Sequence, residues 1–249
     1  MFGQAEAPTS TIPVLLYHTV SPNAVQKGPD TLLVHDFGRQ MRYLALRGYR
    51  CVGPEAVAEP RPPTGGRRTV CLTFDDGYES FLRLVYPVLR SYEFTATIFV
   101  VCDLVGRTAT WDGGDGSRLL TWEQLRSLQE AGMRIGSHTL THRRLTELGD
   151  DEIRRELIDS RAILAAELNA STPCLAYPFG ASDERVRTLA KEAGYAAAFG
   201  VHRGPRGAYN NHRRQCLPGM TRLGFRLTLG SLGALHIRAR RSIMAATRR

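Results

Sequence analysis

Two adjacent carboxylates, Asp75 and Asp76, follow an apolar run and precede Gly77 in the segment Thr73, Phe74, Asp75, Asp76, Gly77. Like charges this close cannot both stay ionised away from water unless a cation sits beside them. One can bind a metal while the other takes a proton. The same segment read alone is equally a polar strand-to-helix turn with an Asp cap. A second segment runs from Ser137 to His142 and places His138 and His142 four residues apart. One turn of helix or a tight loop puts both imidazoles on one side. Two imidazoles and a carboxylate form a three-ligand site with room for water, as in catalytic zinc centres. A lone histidine would read as a satisfied core or surface residue. A third segment, Ala176 to Gly180, brackets Phe179 between Pro178 and Gly180. It fixes a turn, or leaves the Phe179 N–H to face a developing oxyanion.

Each segment follows a predicted strand, the edge where parallel α/β folds build their sites. Residues 12–17, 49–52, 69–74, 95–102, 133–137, 174–177 and 195–199 read as strands, with 220–223 as a last one. Helices are expected over 36–48, over 79–91 with an interruption at Pro87, and after a capping box at Thr121 and Gln124. Two more follow, over 150–168 and from a cap at Ser182 to Gly194. Residues 60–67 and the Gly-rich stretch 106–118 read as loops. Alternating strands and helices imply a mainly parallel sheet, a barrel closed or nearly closed by its strands, or an open doubly wound sheet. Neither G-x-G-x-x-G nor a Walker A loop occurs, so a nucleotide fold has no motif support.

The chain has 249 residues, 43% apolar and 23% charged, the composition of a soluble globular protein. No apolar run approaches the roughly 18 residues of a spanning helix. The first 20 residues lack the basic start, apolar stretch and cleavage site of a signal peptide, so a cytoplasmic or membrane-peripheral location is expected. Five cysteines without a C-x-x-C pair read as buried reduced thiols. The net charge of +9 is uneven: residues 193–249 hold eleven Arg and no Asp or Glu. The organisation expected is an N-terminal tail (1–11), one catalytic domain (12–223) and a basic C-terminal helix or tail (224–249).

Asp75-Asp76, then the His138/His142 pair, then the Pro-x-Gly turn resemble, in that order, the polysaccharide deacetylase family. That family is also called the NodB-homology or carbohydrate esterase family 4 group. The resemblance covers residues from about 12 to 200. It implies a single-domain, distorted (β/α)7 TIM-like barrel and metal-dependent removal of N-acetyl groups from amino sugars. It assigns Asp76, His138 and His142 as metal ligands, Asp75 as general base and the Phe179 N–H as oxyanion donor. The cofactor implied is one divalent ion, Zn²⁺ first, with Co²⁺ or Ni²⁺ as alternatives. An amine leaves only when protonated, so a general acid is needed. Tyr17-His18 is similar to the N-terminal Y-H motif of the biofilm poly-N-acetylglucosamine deacetylase branch, and His18 is taken as that acid ahead of His236, His202 and His212. Two departures stand out. Ala176 occupies the position where many members place an Arg that orients the base, and no D-x-x-D-W groove motif is present.

Two other functions share the residues. The same centre can hydrolyse another C–N bond, a cyclic imide or ureide, and a binding or scaffold protein with a relic site is the third reading. The basic tail has few aromatics and no nucleic-acid motif, so nucleic acid is not an expected partner. An N-acetylated saccharide is. The tail also reads either as a helix closing the barrel floor or as a peripheral contact with an anionic membrane. A +9 protein steers an anionic, carrier-linked sugar better than a cationic product.

Overall fold

A computed structural model describes residues 12–23, 30–59, 68–111, 116–168, 174–201 and 207–230. The expected N-terminal tail, the 60–67 loop and residues 231–249 lie outside them, as do His202 and His236. In chain order the elements are β1 (Val14–Tyr17), β2 (Val20–Ser21), β3 (Leu32–Leu33), α1 (Val34–Leu46), β4 (Arg50–Cys51), α2 (Pro54–Ala58) and β5 (Thr69–Phe74). A wide helical turn (Phe81–Val85) then leads into α3 (Tyr86–Ser91), followed by β6 (Thr97–Val100), α4 (Trp122–Glu130), β7 (Arg134–Ser137) and α5 (Asp150–Leu168). The chain continues through β8 (Cys174–Ala176), α6 (Glu184–Glu192), β9 (Ala197–Gly200), β10 (Asn211–His212), β11 (Arg214–Gln215) and α7 (Arg222–Leu229).

All pairings in the main sheet are parallel, in the order β10-β9-β8-β7-β6-β5-β1-β11, with β4 alongside the start of β5. The two outermost strands are neighbours in sequence, separated only by Arg213. β10 pairs with β9 and β11 with β1, so one segment bridges both edges and the sheet rolls into a nearly closed seven-stave barrel. The Arg213 N–H itself bonds to Gly200 O at 2.9 Å. Alternation along the strands separates two sets of side chains. Val14, Cys71, Phe99, Cys174, Ala176, Ala197 and Phe199 form one buried cluster. Leu15, Leu72, Ile98 and Ile135 belong to a second, shared with the helices. The first cluster, mostly small apart from two rings, fits the narrow interior of a small barrel.

Gly136 in β7 shows how tight that interior is. A Cβ there would fall 2.5 Å from two atoms of the Phe99 ring and 3.2 Å from Cys174 O. Gly136→Ala is therefore expected to cost about 1–3 kcal/mol, read as a lowered midpoint in chemical denaturation.

Local rules account for most elements. Thr121 accepts from Gln124 N, and the Gln124 side chain accepts from Thr121 N, which completes the expected capping box. Pro87 offers no N–H and crowds the carbonyl four residues back. Before it the chain widens into a π turn in which Tyr86 N bonds Phe81 O. Two expectations need correction. Residues 220–223 are not a strand: Thr221 Oγ1 accepts from Gly224 N and starts α7, whose Phe225 and Leu229 enter the core. The last stave is 211–215 instead. Asp183, not Ser182, caps α6, its carboxylate accepting from Val186 N at 2.8 Å. All five cysteines are free thiols, four of them buried. Among the described residues no helix is long and apolar enough to cross a membrane.

Candidate active site

The site gathers at the C-terminal ends of β1, β5, β7 and β8. Four residues there, Asp76, Thr139, His142 and Phe179, hold positive φ (73°, 69°, 65° and 57°) without being glycine. Such backbone costs on the order of 1–3 kcal/mol per residue and persists only where surrounding structure over-determines it. Gly77 continues the left-handed turn after Asp76 at φ 76°, and an added Cβ there would meet Val100 at 2.9 Å. The two carboxylates are thereby sent to different partners.

Asp75 is clasped by Arg213. Nη1 lies 2.5 Å from Oδ1 and Nη2 2.7 Å from Oδ2, a two-pronged pair with both side chains buried. Burial would raise the Asp75 carboxyl, but the Arg213 charge and hydrogen bonds, with His138 and His18, carry it below the ordinary carboxylate value. Asp76 faces the histidines instead. Its Oδ1 lies 3.4 Å from His138 Nε2 and 3.5 Å from His142 Nε2. Burial again pushes upward, and His138, His18 and His142 outweigh it, bringing Asp76 down to about 2.

One imidazole, His138, is held from behind. His138 Nδ1 lies 2.8 Å from Ala176 O. With the proton there, Nε2 turns its lone pair toward Asp76. The position lacking the family Arg thus supplies a backbone carbonyl. Burial and the neighbouring His138 charge depress His142 to about 3, which keeps it neutral at ordinary pH. For His138 burial lowers the value, but Asp75 and Asp76 raise it further.

A metal ion fits this cluster. One ligand atom each from Asp76, His138 and His142 lie within 4.8 Å of one another, and all three residues are buried. Asp76 Oδ1 and His142 Nδ1 are buried without a hydrogen-bond partner, although such groups are ordinarily satisfied. A buried carboxylate oxygen facing the Nε2 atoms of two histidines is a donor set that suits a cation.

The loop carrying the histidines is pinned from α5. Glu156, 4% exposed, accepts from Leu140 N and Thr141 N at 2.9 Å each, and from the Thr141 hydroxyl. Ser137 Oγ takes Thr139 N, and Thr139 Oγ1 takes His142 N. Glu156→Ala strands two backbone donors between the histidines. Metal affinity is expected to fall about 10–100-fold, the range for lost supporting partners. Glu156→Gln, which keeps one oxygen, should recover part of it in a metal titration.

The other expected residues also arrive here. The turn at Pro178–Gly180 donates its two bonds from Gly180 N and Ala181 N, leaving the Phe179 N–H out of them. The Phe179 ring lies 4.9 Å from His142. His18 directly follows β1, its Nδ1 buried without a partner, and its charge acts on Asp75, Asp76 and His142.

Two residues escaped the sequence reading. Arg213 was one of eleven arginines in an acid-free segment, and nothing local distinguished it. Trp111 sits in the Gly-rich loop, yet its ring stands 4.6 Å from His142. An isolated Trp in such a loop was the available signal.

Residues 63–198, more than half of the chain, match the family model for polysaccharide deacetylase. Over 222 residues the chain is 28% identical to YxkH of Bacillus subtilis, named as a polysaccharide deacetylase; the match covers 86% of this chain and 74% of that one. It is 28% identical over 134 residues to the poly-β-1,6-N-acetyl-D-glucosamine N-deacetylase of Escherichia coli, covering 49% of this chain and 20% of that protein. The deacetylase PplD of Streptococcus pyogenes, solved with acetate, superposes with a TM-score of 0.76 at 25% identity, covering 88% of this chain and 98% of that one. His18 and Arg213 fall outside the matched stretch, while both aspartates, both histidines and Phe179 fall inside it. By that match, this chain belongs to the polysaccharide deacetylase family, hydrolases that act on carbon–nitrogen bonds.

Proposed function

We propose that the protein removes the N-acetyl group from an N-acetylated amino sugar, borne on a polysaccharide, an oligosaccharide or a carrier-linked saccharide. The observation that carries this reading is the division between two adjacent aspartates: Asp75 is locked to Arg213, while Asp76 faces two histidines. Asp76, His138 and His142 would hold one divalent ion, Zn²⁺ by their nitrogen and carboxylate donors. When bound, such an ion would lower the pKa of water from 15.7 to about 7 and supply a Lewis acid for the acetyl carbonyl.

The chain's own groups do the rest. Asp75 accepts the proton of the attacking water. Arg213 keeps it ionised and fixed in direction, and a carboxylate holding two Arg bonds still has lone pairs free. The Phe179 N–H donates to the oxygen that gains negative charge; such a donor is worth about 2.7–4 kcal/mol. His18 delivers a proton to the departing amine. Trp111 and Phe179 flank His142 and offer apolar faces to a sugar ring. The E. coli relative's N-acetylglucosamine substrate and the acetate in PplD support the choice of bond.

The test is metal analysis of the purified protein with an acetate-release screen over free, lipid-linked and polymeric N-acetylated sugars. One equivalent of bound ion is expected, with acetate release that stops on chelation and returns with Zn²⁺. A protein that takes up no divalent ion, or releases no acetate from any of these sugars, overturns the proposal.

A further inference from the structure

A second opening lies on the outer wall of the barrel, where α1 meets the start of α7. It is a cavity of about 760 Å³, within the range of small-ligand sites. At one end Asp36 neutralises Arg39. Elsewhere the lining is cationic. Among the described residues, Arg42, Arg47 and Arg222 have no carboxylate partner. Arg47 and Arg222 each place a guanidinium 5.7 Å from the centre of the Tyr43 ring. One ring thus holds two cations by its π system, and no carboxylate among the described residues offsets either of them.

A buried donor points the same way. Gln40 lines the cavity and is 5% exposed. Its Oε1 accepts from the Tyr17 hydroxyl at 2.8 Å, and its Nε2 has no partner. A buried amide N–H left so is costly unless a ligand accepts from it. The N-terminus of α7 lies at the same place, with Thr221 and Arg222 in the lining, and adds the positive end of a helix. Residues 231–249 contain five Arg and no Asp or Glu, so their side chains cannot supply the missing negative charge.

We propose that this cavity binds a phosphate-bearing anion, a pyrophosphate or phosphodiester group, at a site separate from the Asp76/His138/His142 cluster. Planar guanidinium groups suit phosphate oxygens, and Gln40 adds a neutral donor. Two exposed leucines border the cationic lining: Leu46, 72% exposed and itself part of the lining, and Leu223, 62% exposed and next to Arg222. A phosphate on a lipid would meet both surfaces; a free one would use the cations alone.

The experiment uses the full chain and its R47A/R222A double variant. Both are titrated with inorganic pyrophosphate by calorimetry, and both are floated with vesicles containing phosphatidylglycerol. Expected is binding to at least one probe, weakened about tenfold or more in the variant and reduced by added salt. Loss against pyrophosphate assigns a free phosphate ligand; loss against vesicles alone assigns a lipid headgroup. Metal content and acetate release stay unchanged in the variant, since neither arginine belongs to the deacetylase machinery. Failure of both probes to bind, or equal binding by both proteins, overturns the proposal. The binding readout is independent of acetate release, so the two readings can fail separately.

Discussion

Asp75→Asn is expected to lower acetate release by about 10²–10⁴-fold, the usual worth of a positioned general base, while the bound metal remains. Asp75 Oδ2 stands 3.8 Å from His138 Nε2, but Asp75 is not in the ligand triad. Asn keeps the shape and loses both the proton affinity and the charge that Arg213 faces. Removing one member of a buried ion pair costs about 3–5 kcal/mol, so lower stability alone could also depress activity. The Asp75→Asn, Arg213→Met double variant separates the effects. It leaves no lone buried charge, so it should melt nearer the wild type and still release no more acetate than Asp75→Asn. Recovery of activity along with stability would remove Asp75 from the chemistry.

The same pair sets a pH dependence. Arg213 and the histidines hold the folded Asp75 carboxyl below its unfolded value. Its contribution to stability is therefore present above the unfolded pKa and lost as pH falls through the folded one. In Arg213→Met, the largest lowering influence is gone and burial raises the carboxyl instead. The acid limb of the rate profile should then move to higher pH. A purely structural role for Arg213 would lower the rate without moving that limb.

Asp76→Ala is expected to abolish both metal uptake and activity. It removes the only anionic ligand of the triad and leaves two imidazoles, one of them depressed to about 3. The loss in metal affinity should exceed the roughly 10–100-fold that a supporting partner is worth. Because an ion that binds only the folded state stabilises it by mass action, Zn²⁺ should raise the melting temperature of the wild type and not of Asp76→Ala. An equal rise in both would place the ion elsewhere. Asp76→Ala does not relieve the left-handed backbone there, since Ala at φ 73° is less at ease than Asp. A gain in apo stability would have to come from removing the buried, unpartnered carboxylate.

The strands and helices were legible because their signals are local. β5 and α5 occupy the ranges read from apolar runs and periodicity, and Thr121 and Gln124 form their capping box by contacts three residues apart. The stave 211–215 was not legible. Its four paired residues, Asn211, His212, Arg214 and Gln215, carry no apolar alternation, and the segment is a strand only because two sheet edges lie there to be bridged. Residues 220–223 carried a short apolar signal, and the Thr221 cap overrode it.

The sequence by itself determined which groups could do the chemistry. An aspartate pair, a histidine pair and a Pro-x-Gly turn are each local in the chain, as is the left-handed backbone that Gly77 and Gly180 permit beside them. Only the tertiary structure decided which partner each aspartate faces. That choice rests on Arg213, 138 residues away, reaching Asp75 because barrel closure brings β10 and β11 beside β9 and β1. Contacts across that separation leave no periodicity to read, so one arginine among eleven acquires its partner only when the sheet closes.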